Sequence, residues 1–117
     1  MVSKKPIVTK GSSSGAAVSR GCALDRVLRL LSGEWTTHIL WVLSKNGPTR
    51  HGELRRLVEG ISSKVLTDRL RMLEAEGILF RDYEPTVPPK VTYGLTELGL
   101  ELDQTLRAIE NIAKRWS

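Results

Sequence analysis

Residues 61–80 read ISSKVLTDRLRMLEAEGILF, and this stretch decides the fold. Its leucines recur at spacings of four and three residues, which predicts one apolar stripe on an α-helix, formed by Leu66, Leu70 and Leu73. Ser62 or Ser63 is placed to accept a backbone N–H as the N-cap, and Gly77 permits the left-handed turn that ends a helix. The stretch therefore predicts a helix that docks through leucine side chains and is followed by a strand.

The face opposite the leucines is polar and basic, and it carries Lys64, Thr67, Asp68 and Arg71. Lys64 and Thr67 lie near the helix start, from where side chains reach base edges if the partner is a nucleic acid. The alternative is an ordinary solvated helix face. Asp68 would repel phosphate unless it accepts from a cytosine amino group or pairs with Arg71, and both options stay open. Arg69 lies at the edge of the leucine stripe, where an internal ion pair is favoured over a base contact.

Three more helices and a short strand are predicted upstream of this helix. The first begins at Cys22 and breaks at Ser32-Gly33, the second spans residues 35–44, and the third spans residues 52–58. Residues 49–51 leave room only for a short strand. The apolar residues expected in the core are Trp35, Ile39, Leu40, Leu43, Leu54, Leu57 and Val58.

Two strands and a long helix are predicted downstream. Residues 78–84 and 90–95 have strand patterns, and the prolines at 85, 88 and 89 keep the tip between them out of the ladder. Thr96 is placed to cap the last helix. The apolar stripe of that helix is too long for a small core to cover, so a partner copy is expected on it. Its members are Leu98, Leu102, Leu106, Ile109, Ile112 and Trp116.

This order of elements predicts a mainly α (α+β) fold, a winged helix-turn-helix with a two-stranded wing and a long terminal dimerisation helix. The arrangement suits duplex DNA, because the major groove admits one α-helix and a hairpin beside it reaches the flanking backbone or minor groove. We predict a flexible basic N-terminal arm over residues 1–20 and a winged-helix domain over residues 21–117.

The charge of the chain is unevenly distributed. Its 117 residues carry a net charge of +5, with 18 lysines and arginines against 13 aspartates and glutamates. The arm holds four basic residues and no acid, and residues 50–71 hold six basic residues against three acidic ones. This asymmetry predicts one basic working face, which fits a nucleic acid. A basic balance by itself also fits an acidic membrane surface or no partner at all.

Several classes of function are disfavoured. No stretch approaches the roughly 18 apolar residues of a membrane span, and the N-terminus lacks the apolar segment of a signal peptide, so a cytoplasmic protein without membrane contact is predicted. Cys22 is the only cysteine and is accompanied only by His38 and His51, so neither a disulfide framework nor a metal site is predicted. Neither histidine lies in a catalytic motif, so we predict no cofactor and no enzyme activity.

Three segments carry a resemblance to a known family. They are Cys22 followed at the family's spacing by Gly33-Glu34-Trp35, then GELRRLVEGISSKVLTDRLRMLEAEGIL from Gly52, and VPPKVTYGLTELG from Val87. Over residues 22–116 the chain resembles the HxlR-type branch of the MarR-like winged-helix transcriptional regulators. It departs from that pattern by Ala23 in place of proline, Glu34 in place of lysine, and His51 in place of an aromatic residue.

With this resemblance, we predict a homodimeric, sequence-specific regulator that binds double-stranded DNA with paired recognition helices about one duplex turn apart on an operator. The residues expected on the DNA-facing side of the recognition helix are Ser62, Ser63, Lys64, Thr67 and Arg71. Those expected at the DNA backbone are Arg50, His51, Arg55 and Arg69, with Lys90 on the wing. The first and last helices are expected to form the dimer through Leu24, Leu28, Leu102, Leu106, Ile109, Ile112 and Trp116.

Cys22 is a candidate thiol sensor. It lies at a helix start, where N–H dipoles favour a thiolate, with Arg26 one turn away and Arg20 nearby. The resemblance implies that several relatives sense electrophiles or oxidants through a cysteine at this position, so an oxidant or small-molecule effector is a further expected partner. The alternative is a half-buried, unreactive cysteine.

Two other classes of function stay open from the sequence. A winged helix also serves to bind RNA, or nucleic acid without sequence preference, for which the cationic arm is the best argument. It also serves as a protein-interaction module, whose apolar last helix would then bind a different subunit.

Overall fold

The computed structural model describes residues 22–116, so the basic arm predicted for residues 1–20 lies outside the described residues. The chain divides into two compact units, the first up to Gly33 and the second from Glu34 onward. Among the described residues, the first unit contains helix α1, which spans Ala23–Leu31, and the second contains all the other elements. The domain boundary predicted between residues 20 and 21 stays a prediction.

The second unit contains each further helix and strand that the sequence predicts, with ends that differ by one or two residues. In chain order the elements are α2 (Thr36–Asn46), β1 (Thr49–Arg50), α3 (His51–Leu57), α4 (Ser63–Ala75), β2 (Leu79–Glu84), β3 (Lys90–Leu95) and α5 (Glu97–Trp116). Asn46-Gly47-Pro48 ends α2, with Gly47 at φ 77°, and Gly77 follows α4 at φ 79°. Both conformations are ones that a glycine adopts without strain.

The core of the second unit lies between α2, α3, α4 and the start of β2. Its largest fully buried apolar side chains are Ile39, Leu40, Leu43, Leu54, Val58, Leu66, Leu70, Leu73, Ile78 and Leu79. The leucine stripe of α4 contributes three of them and has no exposed surface. Burial of such side chains stabilises the fold by about 1.5–3 kcal/mol each. The stripe therefore fixes which face of α4 is left for solvent.

Two positions that the sequence assigns to the core lie elsewhere. The inward orientation predicted for Leu57 is wrong, because 38% of this residue is exposed. Helix α3 ends at Leu57 and the chain leaves helical geometry at Val58, so Leu54 and Val58 take the two inward places. Trp35 precedes α2 in a left-handed conformation and is only half-buried, with its ring against the turn at Gly60.

The three strands form one antiparallel sheet in the order β1-β3-β2. β2 and β3 pair over their whole length, from Leu79 opposite Leu95 to Glu84 opposite Lys90. β1 pairs beside the inner half of β3, with Thr49 opposite Tyr93. The predicted hairpin is thus present, and β1 is the third strand that ties it to the helices.

A backbone junction at Ile78 connects α4 to α5. The amide of Ile78 donates to the carbonyl of Leu73 in α4 at 2.9 Å, and its own carbonyl accepts from the amide of Thr96 at 3.0 Å. Thr96 caps α5 as predicted, because its Oγ1 accepts from the amide of Gly99 at 3.1 Å. The end of one helix and the start of the other are therefore held by a single residue.

Candidate nucleic-acid interface

Helix α4 presents opposite faces to the core and to solvent. Of the two serines at its start, Ser62 is the N-cap, because its Oγ accepts from the amide of Val65 at 3.1 Å, and Ser63 is the first helical residue. The buried leucines turn the other side outward, where Thr67 is half-buried and four residues are exposed, namely Ser62, Ser63, Lys64 and Arg71. The structure thus places the predicted recognition residues together on one exposed side of the helix.

An ion pair lies within this exposed side. Lys64 Nζ is 3.2 Å from a carboxylate oxygen of Asp68, and the two side chains are 85% and 63% exposed. Such an exposed pair contributes about 0–1 kcal/mol, so a phosphate or a base competes with it readily. Asp68 therefore pairs with the residue one turn before it, and the pairing with Arg71 that the sequence left open is not present. Arg71 has no ion-pair partner among residues 22–116.

His51 and Thr67 are brought together by the packing of α3 against α4. His51 Nε2 lies 2.9 Å from Thr67 Oγ1, in a partly buried contact. Burial, followed by the nearby guanidinium of Arg55, lowers the pKa of His51 below its ordinary value of 6.5. The neutral form of the ring is therefore favoured at pH 7. Any phosphate contact by His51 is then a neutral hydrogen bond through its other ring nitrogen, because Nε2 is already engaged.

The arginines around α3 differ in their availability. Arg50 and Arg55 are exposed and have no ion-pair partner in the described part of the chain. Arg56, in contrast, forms an ion pair with Glu53 on its own helix, and this contact raises the pKa of Arg56 above its ordinary value. Arg50 and Arg55 are thus the free cations beside the exposed side of α4.

The internal ion pair predicted for Arg69 is wrong. No acid lies within ion-pair distance of Arg69 in the described residues, and its Nε is buried without a hydrogen-bond partner. The sequence explains the absence within the helix, because the positions three and four residues away hold Val65, Leu66, Met72 and Leu73. Arg69 is half-buried, so less of its guanidinium reaches the surface than is the case for Arg71.

The hairpin of β2 and β3 forms a second exposed element. Every residue of its tip, residues 85–89, is exposed, and Thr86 Oγ1 donates to the carbonyl of Pro88 at 2.8 Å across it. Lys90 is half-buried at the base of the tip, opposite Glu84. Sequence reasoning missed Arg81, which is exposed on β2 with its guanidinium 5.5 Å from the ring centre of Tyr83. The sequence feature that could have identified Arg81 is its spacing of two residues from Tyr83, which puts both side chains on one face of a strand.

Comparison with known proteins identifies the family of this chain. The model of the family described as HxlR-like helix-turn-helix matches residues 30–117. The chain belongs to this family. It is a transcriptional regulator of the helix-turn-helix class.

Solved structures resemble this HxlR-like regulator closely. A transcriptional regulator of the MarR family from Enterococcus faecalis V583 has a TM-score of 0.74 at 29% identity, with 92% of each chain covered. The reduced form of YodB from B. subtilis has a TM-score of 0.72 at 34% identity, covering 80% of this chain and 92% of YodB. The redox regulator HypR in its reduced form has a TM-score of 0.64 at 35% identity, covering 81% of this chain and 89% of HypR. YodB has also been solved after diamide treatment and HypR in an oxidised form.

The cysteine of the HxlR-like chain is part of a helix cap. Cys22 is exposed, and its Sγ accepts from the amide of Asp25 at 3.3 Å, so the thiol occupies the N-cap of α1. The half-burial in the alternative prediction is therefore wrong for this unit, in which no residue of α1 is buried, and the reactivity of the thiol stays a prediction. Leu24 and Leu28 on the same helix are 66% and 53% exposed. A chemical change at the sulfur thus acts directly on the first turn of a helix with an uncovered apolar face.

The second half of α5 carries apolar side chains that no other part of its unit covers. All residues from 108 to 116 are exposed, and among them Ile109, Ile112 and Trp116 are 51%, 46% and 87% exposed. A groove of about 480 Å³ lies between this helix and α2, lined by Thr37, His38, Trp41, Leu106, Arg107, Ile109 and Glu110. Arg107 bridges Asp103 and Glu110 at 3.2 and 2.8 Å, so its charge is already compensated.

Residues 22–116 contain no group of three or more histidine, cysteine, aspartate or glutamate side chains placed to hold a metal ion. Within the same residues, none of the helices is both long enough and apolar enough to span a membrane.

The Lys64–Asp68 pair gives a test of the exposed side of α4. Replacing Asp68 with asparagine is expected to strengthen binding to a labelled duplex from the region upstream of the protein's own gene by about two- to fivefold, because Lys64 is released and a like charge near phosphate is removed. The affinity is measured by fluorescence anisotropy across a salt series. The matched control is Glu59→Gln, which removes one exposed acid from the turn before α4. Equal gains from both variants would contradict a specific effect at Lys64.

Proposed function

We propose that this HxlR-like regulator binds an operator as a homodimer, with α4 of each protomer in the major groove. The observation that carries the proposal is the two-sided construction of α4, in which a leucine stripe with no exposed surface turns Lys64, Thr67 and Arg71 outward. A helix of this size fits the major groove, and residues near its N-terminus reach base edges.

The surroundings of α4 support contacts to the DNA backbone. Arg50 and Arg55 are exposed cations with no ion-pair partner among residues 22–116, and they are proposed to hold phosphates and set the orientation of the protein on the duplex. Arg69 has only part of its guanidinium at the surface, so it is proposed to contribute less. Lys90 and Arg81 on the hairpin are proposed to contact the flanking backbone or minor groove.

A second copy is proposed to cover the exposed apolar face of α5. Leu102 and Leu106 are half-buried, and beyond them Ile109, Ile112 and Trp116 are exposed on the same stripe. Covering them removes apolar surface from water, and a closed twofold dimer does so in both copies at once. Leu24 and Leu28 on α1 are proposed to belong to the same interface. Two protomers related by a twofold axis then present two α4 helices to one operator.

Cys22 is proposed to make this dimer responsive to thiol chemistry. The structure gives an exposed sulfur that caps α1, and two similar proteins, HypR and YodB, have been solved in oxidised or diamide-treated forms. An adduct on the sulfur displaces the capping contact and frays the first turn of α1, which carries the apolar residues proposed for the interface. Because no second cysteine is present, a disulfide would join two protomers or a small thiol.

The experiment that tests the function is a binding titration of the full chain with a fluorescent duplex from its own upstream region. Binding that resists an unrelated competitor duplex and weakens steeply with salt is the expected result. Equal displacement by the unrelated duplex would instead support a non-specific nucleic-acid binder. An absence of salt-dependent binding would support a protein-interaction module.

Alkylation of Cys22 with iodoacetamide is expected to weaken operator binding by about five- to tenfold, since loss of an N-cap costs roughly 1 kcal/mol and acts on the proposed interface. The same titration measures it before and after treatment. Cys22→Ser is the matched control, because serine keeps a capping group and removes the reactive sulfur. We expect the serine variant to bind the operator as tightly as the untreated protein does, both before and after treatment with iodoacetamide. Unchanged binding by fully alkylated protein would contradict the thiol response.

A further inference from the structure

A side-chain hydrogen bond ties the start of α3 to the outer side of α4. It joins His51 Nε2 to Thr67 Oγ1 at 2.9 Å, between residues 16 positions apart. The bond is partly buried, whereas the neighbouring Lys64–Asp68 pair is largely exposed. Water and phosphate therefore compete less effectively for Thr67 than for Lys64. Thr67 is thus bonded to a second helix, α3, before any partner arrives.

The bond constrains what the hydroxyl of Thr67 offers. A threonine hydroxyl has one proton and two lone pairs, and in a helix it commonly bonds back to the carbonyl four residues earlier. Here the hydroxyl bonds to the imidazole of another helix instead. That contact holds the side chain in one orientation and uses either its proton or one lone pair. The remaining hydrogen-bonding capacity is left for the half-exposed side of the helix.

We infer that His51 is a positioning residue for sequence readout, which selects the hydrogen-bonding group that Thr67 presents to a base edge. This inference rests on the proposed placement of α4 in the major groove. If Nε2 donates, the hydroxyl proton of Thr67 is free for an acceptor such as guanine O6 or N7. If Nε2 accepts, the lone pairs of Thr67 are free for a donor such as the amino group of cytosine or adenine. In the first case Thr67 keeps its proton and one lone pair, in the second it is an acceptor only, and in both cases the bond to His51 sets the direction from which the hydroxyl reaches a base edge.

This role differs from a contact between His51 and phosphate. Burial and Arg55 lower the pKa of His51, which favours a neutral ring that adds little charge to the interface. A phosphate contact would change affinity for all sequences alike, since phosphates carry no sequence information. A positioning role changes the preference at one base pair of each half-site. A change in base-pair preference, and not an overall change in affinity, therefore distinguishes a positioning role from a phosphate contact.

The test is a double-mutant cycle read on a set of duplexes. The set contains the upstream operator and each of its single base-pair substitutions, and the proteins are the wild type, Thr67→Val, His51→Phe and the double variant. We expect the wild type to discriminate by about 5- to 150-fold at the position read by Thr67, the usual effect of one mismatched base pair. Both single variants are expected to lose that discrimination at the same position and to keep it elsewhere. The double variant is expected to lose no more than Thr67→Val alone.

A rescue variant and a folding check keep the result interpretable. His51→Gln places an amide near the position of Nε2 and is expected to restore part of the discrimination that His51→Phe removes. Urea unfolding identifies a variant that fails to fold. In that case His51→Gln replaces His51→Phe, and Thr67→Ser replaces Thr67→Val, in the comparison. Equal weakening on every duplex by His51→Phe, or additive effects in the double variant, would overturn the inference. A wild type that binds all duplexes equally would overturn the proposed function itself.

Discussion

Replacing Ile112 with aspartate is expected to convert the protein to a monomer at micromolar concentration and to abolish tight operator binding. Ile112 lies within the nine-residue segment 108–116 of α5, every residue of which is exposed. It shares its face with Ile109 and Trp116, and the three side chains are at least 46% exposed. An apolar stripe of this kind gains most by contact with another copy, so a charge at its centre opposes association directly.

The size of the effect follows from the symmetry of the proposed dimer. Full burial of an isoleucine side chain is worth about 1.5–3 kcal/mol, and Ile112 is 46% exposed, so covering it is worth about half of that in each protomer of a twofold interface. An aspartate buried without a partner adds a further desolvation cost. The dimer dissociation constant is therefore expected to rise by about 100-fold to 10,000-fold. Operator binding falls with it, because a monomer occupies one half-site at a time.

Light scattering across a concentration series, together with the operator titration, checks this expectation. The matched control is Asn111→Asp, which introduces the same residue at the adjacent exposed position, about 100° around the helix from Ile112. The control variant is expected to remain dimeric and to bind the operator. A stable dimer of the Ile112→Asp variant would show that the α5 stripe is not the dimer interface.

The sequence was sufficient to predict the frame of the candidate site. Leu66, Leu70 and Leu73 repeat at helical spacing, and burial of all three follows from the local pattern because helical geometry alone puts them on one side. The cap at Ser62 and the cap at Thr96 likewise depend on short-range chemistry. Local spacing therefore determined which residues of α4 face outward.

Contacts that depend on tertiary packing could not be predicted in the same way. The bond between His51 and Thr67 exists because α3 and α4 pack at a particular angle, and no pattern in the sequence encodes a contact over 16 residues. Asp68 has a cation within helical reach on either side, at Lys64 and at Arg71, so sequence spacing gave no basis for choosing between them. The inward orientation predicted for Leu57 was wrong because helix α3 ends at this residue, and Val58, the next residue, takes the inward position.

The junction between α4 and α5 depends on Gly99, which has no Cβ. Gly99 packs so tightly on the carbonyl of Ile78 that a Cβ there would lie well inside contact distance of the oxygen. That oxygen is not free to move away, because it accepts from the amide of Thr96 at 3.0 Å, and Thr96 Oγ1 shares its proton between this oxygen at 3.0 Å and the carbonyl of Gly77 at 2.6 Å. Ile78 also donates to the carbonyl of Leu73 at the end of α4. A displacement at Gly99 therefore reaches both the proposed DNA-reading helix and the proposed dimer helix.

Gly99→Ala is accordingly expected to lower the free energy of unfolding by about 2–3 kcal/mol, the cost of overpacking a rigid site. The sign is opposite to the usual effect of this substitution in a helix, where alanine is favoured by about 1 kcal/mol. Gly52→Ala supplies the control, because Gly52 lies within α3 and a Cβ there would have no atom within 4 Å. We expect Gly52→Ala to be neutral or stabilising by up to about 1 kcal/mol. Urea unfolding at one fixed protein concentration measures both variants, since the stability of a dimer depends on concentration. Equal stability of the two would mean that α5 yields at Ile78 without cost, and the spacing of the paired α4 helices would then have to be fixed by the dimer interface alone.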